Sequence, residues 1–114
     1  MEIKIKATNI ELLPGLNKEI NEKLMTLERF IKRYGSACFL EVELAKTTLH
    51  HGQGKIYRAE LKLNIPRRNL YAAADENDLK TAIIKARNQL KIQIIKDKTR
   101  RQNNFSRDFK EREI

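Results

Sequence analysis

The sequence predicts an α+β two-layer domain, a four-stranded sheet with two helices packed on one face, in the order β-α-β-β-β-α. Three observations lead there. Four segments alternate apolar and polar residues with the period of two that marks a half-buried strand. Two others repeat apolar residues every three or four positions, as amphipathic helices do. The central strands are joined by turn residues rather than by helices, which predicts an antiparallel-rich sheet. A chain of 114 residues forms one such domain, and 40% hydrophobic residues argue against disorder.

The first strand is "EIKIKA", with Ile3 and Ile5 alternating against Lys4 and Lys6. After "TNIELL", Pro14 suits a first helical turn, and Leu16, Ile20, Leu24, Leu27, Ile31 and Tyr34 form the stripe of one amphipathic helix closed by Gly35. In "ACFLEVELAK", Cys38, Leu40, Val42 and Leu44 face one way, and Phe39, Glu41 and Glu43 the other. In "IYRAELKLNI", Tyr57, Ala59, Leu61, Leu63 and Ile65 alternate with Arg58, Glu60, Lys62 and Asn64. These two strands are joined by the loop "TTLHHGQGK". Pro66 stops the second of them, "RRN" turns the chain, and "LYAAA" makes a short last strand. "DEND" opens the last helix, where Asp75, Asn77 or Asp78 can cap its positive end. The folded domain spans residues 1–101. Residues 102–114, "QNNFSRDFKEREI", read as a flexible polar tail, loose in isolation unless Phe105 and Phe109 dock it.

The net charge of +9 is concentrated. Residues 79–101 hold eight Lys and Arg against Asp97 alone, a net +7. Such a field favours a polyanion, with nucleic acid first and an anionic membrane a weaker choice. On a helix advancing about 100° per residue, Leu79, Ala82, Ile83, Ala86, Leu90 and Ile94 share the core sector. Lys80, Arg87, Lys91 and Lys98 then lie within about 40° of one another on the neighbouring flank. Aligned like charges such as Arg87 and Lys91 disfavour the helix slightly, so the ridge points to phosphate binding. The first helix, by contrast, interleaves its Lys and Arg with Glu19, Glu22 and Glu28. Ile84, Ile92 and Ile95 lie beyond the ridge, away from the core. They are either a surface that meets protein or nucleobase, or a far side of no consequence.

Catalytic and metal-binding patterns are scarce, so neither an enzyme nor a cofactor is expected. His50 and His51 are adjacent in a glycine-flanked loop, too few and too divergent for a metal. With Lys55 they are better read as RNA contacts. Phosphate-cradling glycine motifs are absent. Glu41 and Glu43 share a strand face, where cross-strand pairing with lysine is the expectation. The lone Cys38 reads as a small buried hydrophobe in a reducing compartment. No signal-like or membrane-spanning run occurs, so a cytoplasmic protein is expected.

The strand and helix order, together with "EKLMTLERF" at 22–30, "YRAELKLNIP" at 57–66 and "DLKTAIIKARNQLKIQIIKDK" at 78–98, resembles the short ribosome hibernation-promoting factors, also called ribosome-associated inhibitor or sigma-54 modulation proteins. The likeness covers roughly residues 1 to 100. It implies a fold similar to double-stranded-RNA-binding domains. It also implies a translation inhibitor made in stress, slow growth or stationary phase, which binds 16S rRNA of the small subunit in the channel for mRNA and the A-site and P-site tRNAs. By that resemblance Lys23 and Arg29 match basic positions of the first helix, and Lys96 and Lys98 match lysines near the end of the second. The chain departs at "NQLKIQI", where Gln89 and Ile92 occupy commonly basic positions that Lys91 and Arg87 can compensate. Long relatives add a dimerisation domain for which this chain ends too soon. Pairing of 70S ribosomes would then need a separate small ribosome modulation factor. Two other readings stand beside this one: a free-standing double-stranded-RNA-binding module, and a protein that modulates sigma-54 transcription.

Overall fold

The computed structural model describes residues 1–47 and 56–112, with side chains as far as residue 98 apart from Ser36. Its elements are β1 (Glu2–Thr8), α1 (Pro14–Met25), α2 (Glu28–Ile31), a 3-10 segment (Lys32–Ala37), β2 (Phe39–Lys46), β3 (Tyr57–Ile65), β4 (Arg68–Glu76) and α3 (Leu79–Arg112). The four strands form one sheet in the order β1-β2-β3-β4. The β2–β3 and β3–β4 pairs are antiparallel. β1 runs parallel to β2, with Ile3 opposite Leu40 and Ile5 opposite Val42. The helical stretch between them carries the chain back to the starting edge, as a parallel crossover requires. The sheet is therefore antiparallel-rich, as expected from sequence, with one parallel pair at the β1 edge.

Alternation decides which sheet face is buried. Leu40, Val42 and Leu44 of β2, Ala59, Leu61, Leu63 and Ile65 of β3, and Ala72 and Ala74 of β4 are all buried. Against them lie Leu79, Ala82, Ile83, Ala86, Leu90 and Ile94 of α3, every member of the predicted core sector. Ile20, Leu24, Leu27, Ile31 and Tyr34 complete the same cluster. Cys38 belongs to it too, and burial pushes its thiol pKa up, as suits an unreactive packing residue. Asp78 caps α3 by accepting from the Thr81 backbone N–H at 3.0 Å and from its hydroxyl at 3.1 Å.

Two elements differ from expectation, and the backbone of a third runs on beyond its apolar period. The first helix is broken. Thr26 donates its hydroxyl to the Lys23 carbonyl at 2.7 Å, while the Leu27 N–H turns to the Leu24 carbonyl at 3.1 Å. A hydroxyl competing for the backbone tightens the turn and lets α2 leave at a new angle. Gly35, expected to close the helix, instead kinks the 3-10 segment, and its φ of 79° admits glycine readily. The last strand, in turn, begins at Arg68 rather than Leu70, because Arg68 and Asn69 pair with Ile65 and Asn64. Only Pro66 and Arg67 remain in the turn, and Arg67 takes the left-handed φ of 76°. Finally, the α3 backbone stays helical to Arg112, past residue 101 where its apolar period ends. No proline or glycine interrupts residues 79–112, so nothing in the backbone chemistry stops the helix sooner.

Two polar contacts fasten α3 to the sheet edge. The Gln93 side chain donates to the Tyr71 carbonyl at 2.5 Å and accepts from the Tyr71 N–H at 3.3 Å, covering part of the β4 edge. Further along, Asp97 is 4% exposed. It receives the Tyr34 hydroxyl, pairs with Arg68, and lies 3.7 Å from Arg33. Arg33 also donates to the Tyr34 oxygen at 2.6 Å and to the Ile94 carbonyl at 3.0 Å. A single carboxylate thus joins α3, the 3-10 segment and β4. Asp97→Ala is expected to destabilise the fold by about 3 kcal/mol, because it leaves two guanidinium groups around a buried site without their counter-charge. Urea denaturation checks this, and a loss below about 0.5 kcal/mol makes the cluster dispensable.

Candidate nucleic-acid interface

Once its apolar stripe is seated on the sheet, α3 has no freedom to rotate. The flank carrying Lys80, Arg87, Lys91 and Lys98 then faces the seam with α1 and α2. Three contacts locate it there. Lys80 Nζ is 2.9 Å from Glu19 Oε1 of α1. Arg87 donates to the Lys23 carbonyl of α1 at 3.4 Å. Lys91 Nζ lies over the Phe30 ring of α2, 4.9 Å from its centroid. Lys98 is exposed further along the same flank.

The break after α1 is what shapes the seam. With Leu27 bonded to Leu24, the Lys23 carbonyl points to Thr26 and Arg87 instead of closing another helical turn. The turn also brings Arg29 and Phe30 opposite α3. The Arg29 guanidinium lies 4.8 Å from the Phe30 centroid. A groove of about 190 Å³ opens here, lined by Thr26, Arg29, Phe30, Arg87, Asn88 and Lys91 among others.

The cations of this surface differ in what holds them. Lys80 is paired with Glu19, and Lys23 approaches the same carboxylate at 3.9 Å. Lys85 pairs with Glu76 at 2.5 Å. Arg29 and Lys91 rest on an aromatic ring, and Arg87 donates to a carbonyl and to Asn88 Oδ1 at 3.2 Å. Neutral partners orient these three charges without cancelling them. Among the described residues, the positive centre that no carboxylate pairs is therefore the groove, flanked by Lys23 and Lys80 on one side and Lys98 on the other. Lys96 is exposed but lies about 200° around the helix from Lys98, on the flank towards β4.

Sequence reasoning missed Phe30, Thr26 and Glu19. Phe30 has a legible sign, since it stands off the Leu27–Ile31–Tyr34 stripe, and it packs only partly against the core, with the rest of its ring at the surface. The pairing of Glu19 with Lys80 joins two helices and has no sign in local spacing. Ile92 and Ile95 are exposed, at 53% and 44%, on the outer crest of α3 beside the ridge. His50, His51 and Lys55 lie outside the described residues.

The opposite sheet face has a different character. Lys4, Lys6, Arg58 and Lys62 stand among Glu2, Glu41, Glu43, Glu60 and Asp75. Lys4 faces Glu41 and Lys6 faces Glu43 in register, and Lys62 Nζ is 3.9 Å from Glu41. The cross-strand pairing expected for these acids is present, and four cations against five acids leave this side nearly neutral. Among the described residues no three metal-ligating side chains converge, and no helix is long and apolar enough to cross a membrane.

The family model described as Sigma 54 modulation protein / S30EA ribosomal protein matches residues 3–102, which include the whole ridge. Among solved structures, the N-terminal domain of Thermus thermophilus Protein Y is similar, with 23% identity over 82% of this chain and 96% of that one, and a TM-score of 0.63. A ribosomal subunit interface protein from Coxiella burnetii superposes with a TM-score of 0.66 at 16% identity, over 87% of this chain and 99% of that one. At these identities the likeness is one of fold. No curated protein sequence matches the chain significantly.

The shared carboxylate gives a test of the electrostatics. Glu19→Gln is expected to release Lys80 and Lys23, so the variant elutes from a heparin column at higher salt than wild type. Elution at the same or lower salt means that Glu19 does not restrain these charges.

Proposed function

The chain belongs to the Sigma 54 modulation protein / S30EA ribosomal protein family, and from that premise we propose that it inhibits translation by occupying the small ribosomal subunit. Its target is 16S rRNA in the channel for mRNA and the A-site and P-site tRNAs, under slow growth or stress, so that idle ribosomes hibernate. The observation that carries this reading is the groove between α2 and α3, where Arg29, Arg87 and Lys91 are oriented by neutral partners. Carboxylates would have made the same alignment useless for gripping phosphate. The description of the Coxiella burnetii protein as a ribosomal subunit interface protein supports the broader part of this reading, association with the ribosome.

The mechanism is obstruction. Lys23, Arg29, Lys80, Arg87, Lys91 and Lys98 meet rRNA phosphates along the seam, and Lys96 extends the contact around α3. Neutralising roughly six to ten phosphates releases their counterions and makes binding steeply salt-dependent. Recognition comes from the fit of a stiff helical surface to folded RNA, with little reading of base edges. The 34 residues of α3 measure about 51 Å, long enough to lie along an rRNA channel while the sheet fills space beside it. No bond is made or broken, since tRNA and mRNA cannot enter occupied space. A small ribosome modulation factor is the further partner proposed for any pairing of ribosomes.

Sedimentation of a cell lysate through a sucrose gradient tests this reading. The protein is expected with 30S and 70S particles at low salt and at the top of the gradient at high salt. Free protein in the low-salt gradient overturns the proposal. Arg87→Glu combined with Lys91→Glu is expected to abolish co-migration while changing the unfolding free energy by less than about 1 kcal/mol. Undiminished binding by that variant removes both residues from the interface. A bare RNA duplex separates this proposal from a free-standing duplex binder, which would hold it as tightly as the ribosome.

A further inference from the structure

Resting on the rRNA reading above, we infer that the groove between α2 and α3 is a pocket for a single unstacked nucleotide, its base seated on Phe30 and its phosphate held by Arg87 and Lys91. Size limits the occupant first. At about 190 Å³ the groove is smaller than the roughly 300–1,000 Å³ of pockets for drug-sized ligands. It accepts one planar ring system and excludes a base-paired stack.

The lining then selects the chemistry. Phe30 is only half-buried, although its neighbours Leu27 and Ile31 are 1% and 3% exposed in the core. Its ring offers a π face of the kind on which nucleobases stack whatever their identity. Arg29 and Lys91 lie over that ring from two different helices. Both are long side chains in exchangeable contacts, able to swing onto a phosphate as a base takes the ring. Arg87 is held more firmly, by the Lys23 carbonyl and by Asn88, with its guanidinium at the groove wall. Its fork suits phosphate oxygens. Asn88 lines the groove too, and with its oxygen turned to Arg87 its amide N–H groups are the donors it can offer a base edge. Aromatic floor, cationic walls and amide rim together match a nucleotide better than a bare anion, for which Phe30 has no use.

This site differs in kind from the ridge. The ridge reads continuous phosphate and is indifferent to whether bases are paired, whereas the pocket requires a base turned out of its stack. It would hold the protein where rRNA presents an unpaired nucleotide.

Two RNA probes of equal charge give the test with the full-length protein: a single-stranded hexa-adenylate, and an abasic hexamer with the same phosphates. Wild type is expected to bind hexa-adenylate at least about fivefold more tightly, since stacking of one base on an aromatic side chain is worth roughly 1–3 kcal/mol. Phe30→Leu is expected to bind both strands equally, at the wild-type abasic level, with the same dependence on salt because no charge has changed. Phe30→Trp should restore the preference, which separates lost stacking from lost folding. Equal binding of the two strands by wild type, or an undiminished preference in Phe30→Leu, overturns the pocket. Gradient sedimentation of the same variants keeps the two ideas apart. Wild-type protein that reaches 30S particles without preferring hexa-adenylate sinks the pocket alone. A preference for hexa-adenylate in a protein that ignores ribosomes sinks only the ribosomal target.

Discussion

The burial of one stripe of α3 against the sheet is the constraint from which the functional surface follows. Six residues, from Leu79 to Ile94, occupy the core, and together they fix the rotation of the helix about its axis. At about 25 cal/mol per Å² of buried apolar surface, such a stripe outweighs any surface charge term on the same helix. The ridge is therefore carried to the seam by hydrophobic packing, and its own electrostatics have no say in where it points. Gln93 at the β4 edge and Asp97 beyond it act in the same sense, tying the helix down where the apolar stripe ends.

The seam also depends on a local failure of regular structure. Had the first helix run unbroken from Pro14 to Tyr34, the Lys23 carbonyl would have been consumed by the Leu27 N–H in the i→i−4 ladder. The Thr26 hydroxyl diverts the ladder, the Lys23 carbonyl is released sideways, and Arg87 finds an acceptor across the interface. The same turn sets Arg29 and Phe30 opposite Lys91. A threonine that ends its own helix thereby organises Arg87 and Lys91 on another.

Much of this was legible in the sequence where the deciding physics is periodic. The alternation of Leu40, Val42, Leu61 and Leu63 gave the buried sheet face, and the stripe of α3 was named residue by residue. Asp78 proved to be the cap among three candidates. Tertiary contacts explain the rest. "RRN" reads as a turn because it is polar, yet Arg68 and Asn69 are drawn into β4 by pairing with β3. The parallel β1–β2 pair follows from the crossover, which no single strand encodes. Of the expected interface residues, Arg29, Arg87 and Lys91 converge on one groove, and Lys23 and Lys80 flank it beside Glu19. Lys98 continues the ridge and Lys96 stands apart. Lys80 looked equivalent to Lys91 on a helical wheel, but a wheel cannot show an acid on the neighbouring helix.

That last contrast explains why the charges separate into two populations. A carboxylate beside a surface lysine gains at most about 1 kcal/mol and removes the charge from use. An aromatic ring or a carbonyl holds a cation about as well while leaving its field intact. On the outer sheet face, where acids match lysines across the strands, the first arrangement dominates. At the groove the second does, and like-charged neighbours such as Arg87 and Lys91 coexist at a small cost to the isolated helix. Stability consequently resides in the core and the Asp97 cluster, while the groove contributes little to folding. Among the described residues, a surface so arranged keeps its positive field unpaired by carboxylates, and that field is what the proposed rRNA contact would use.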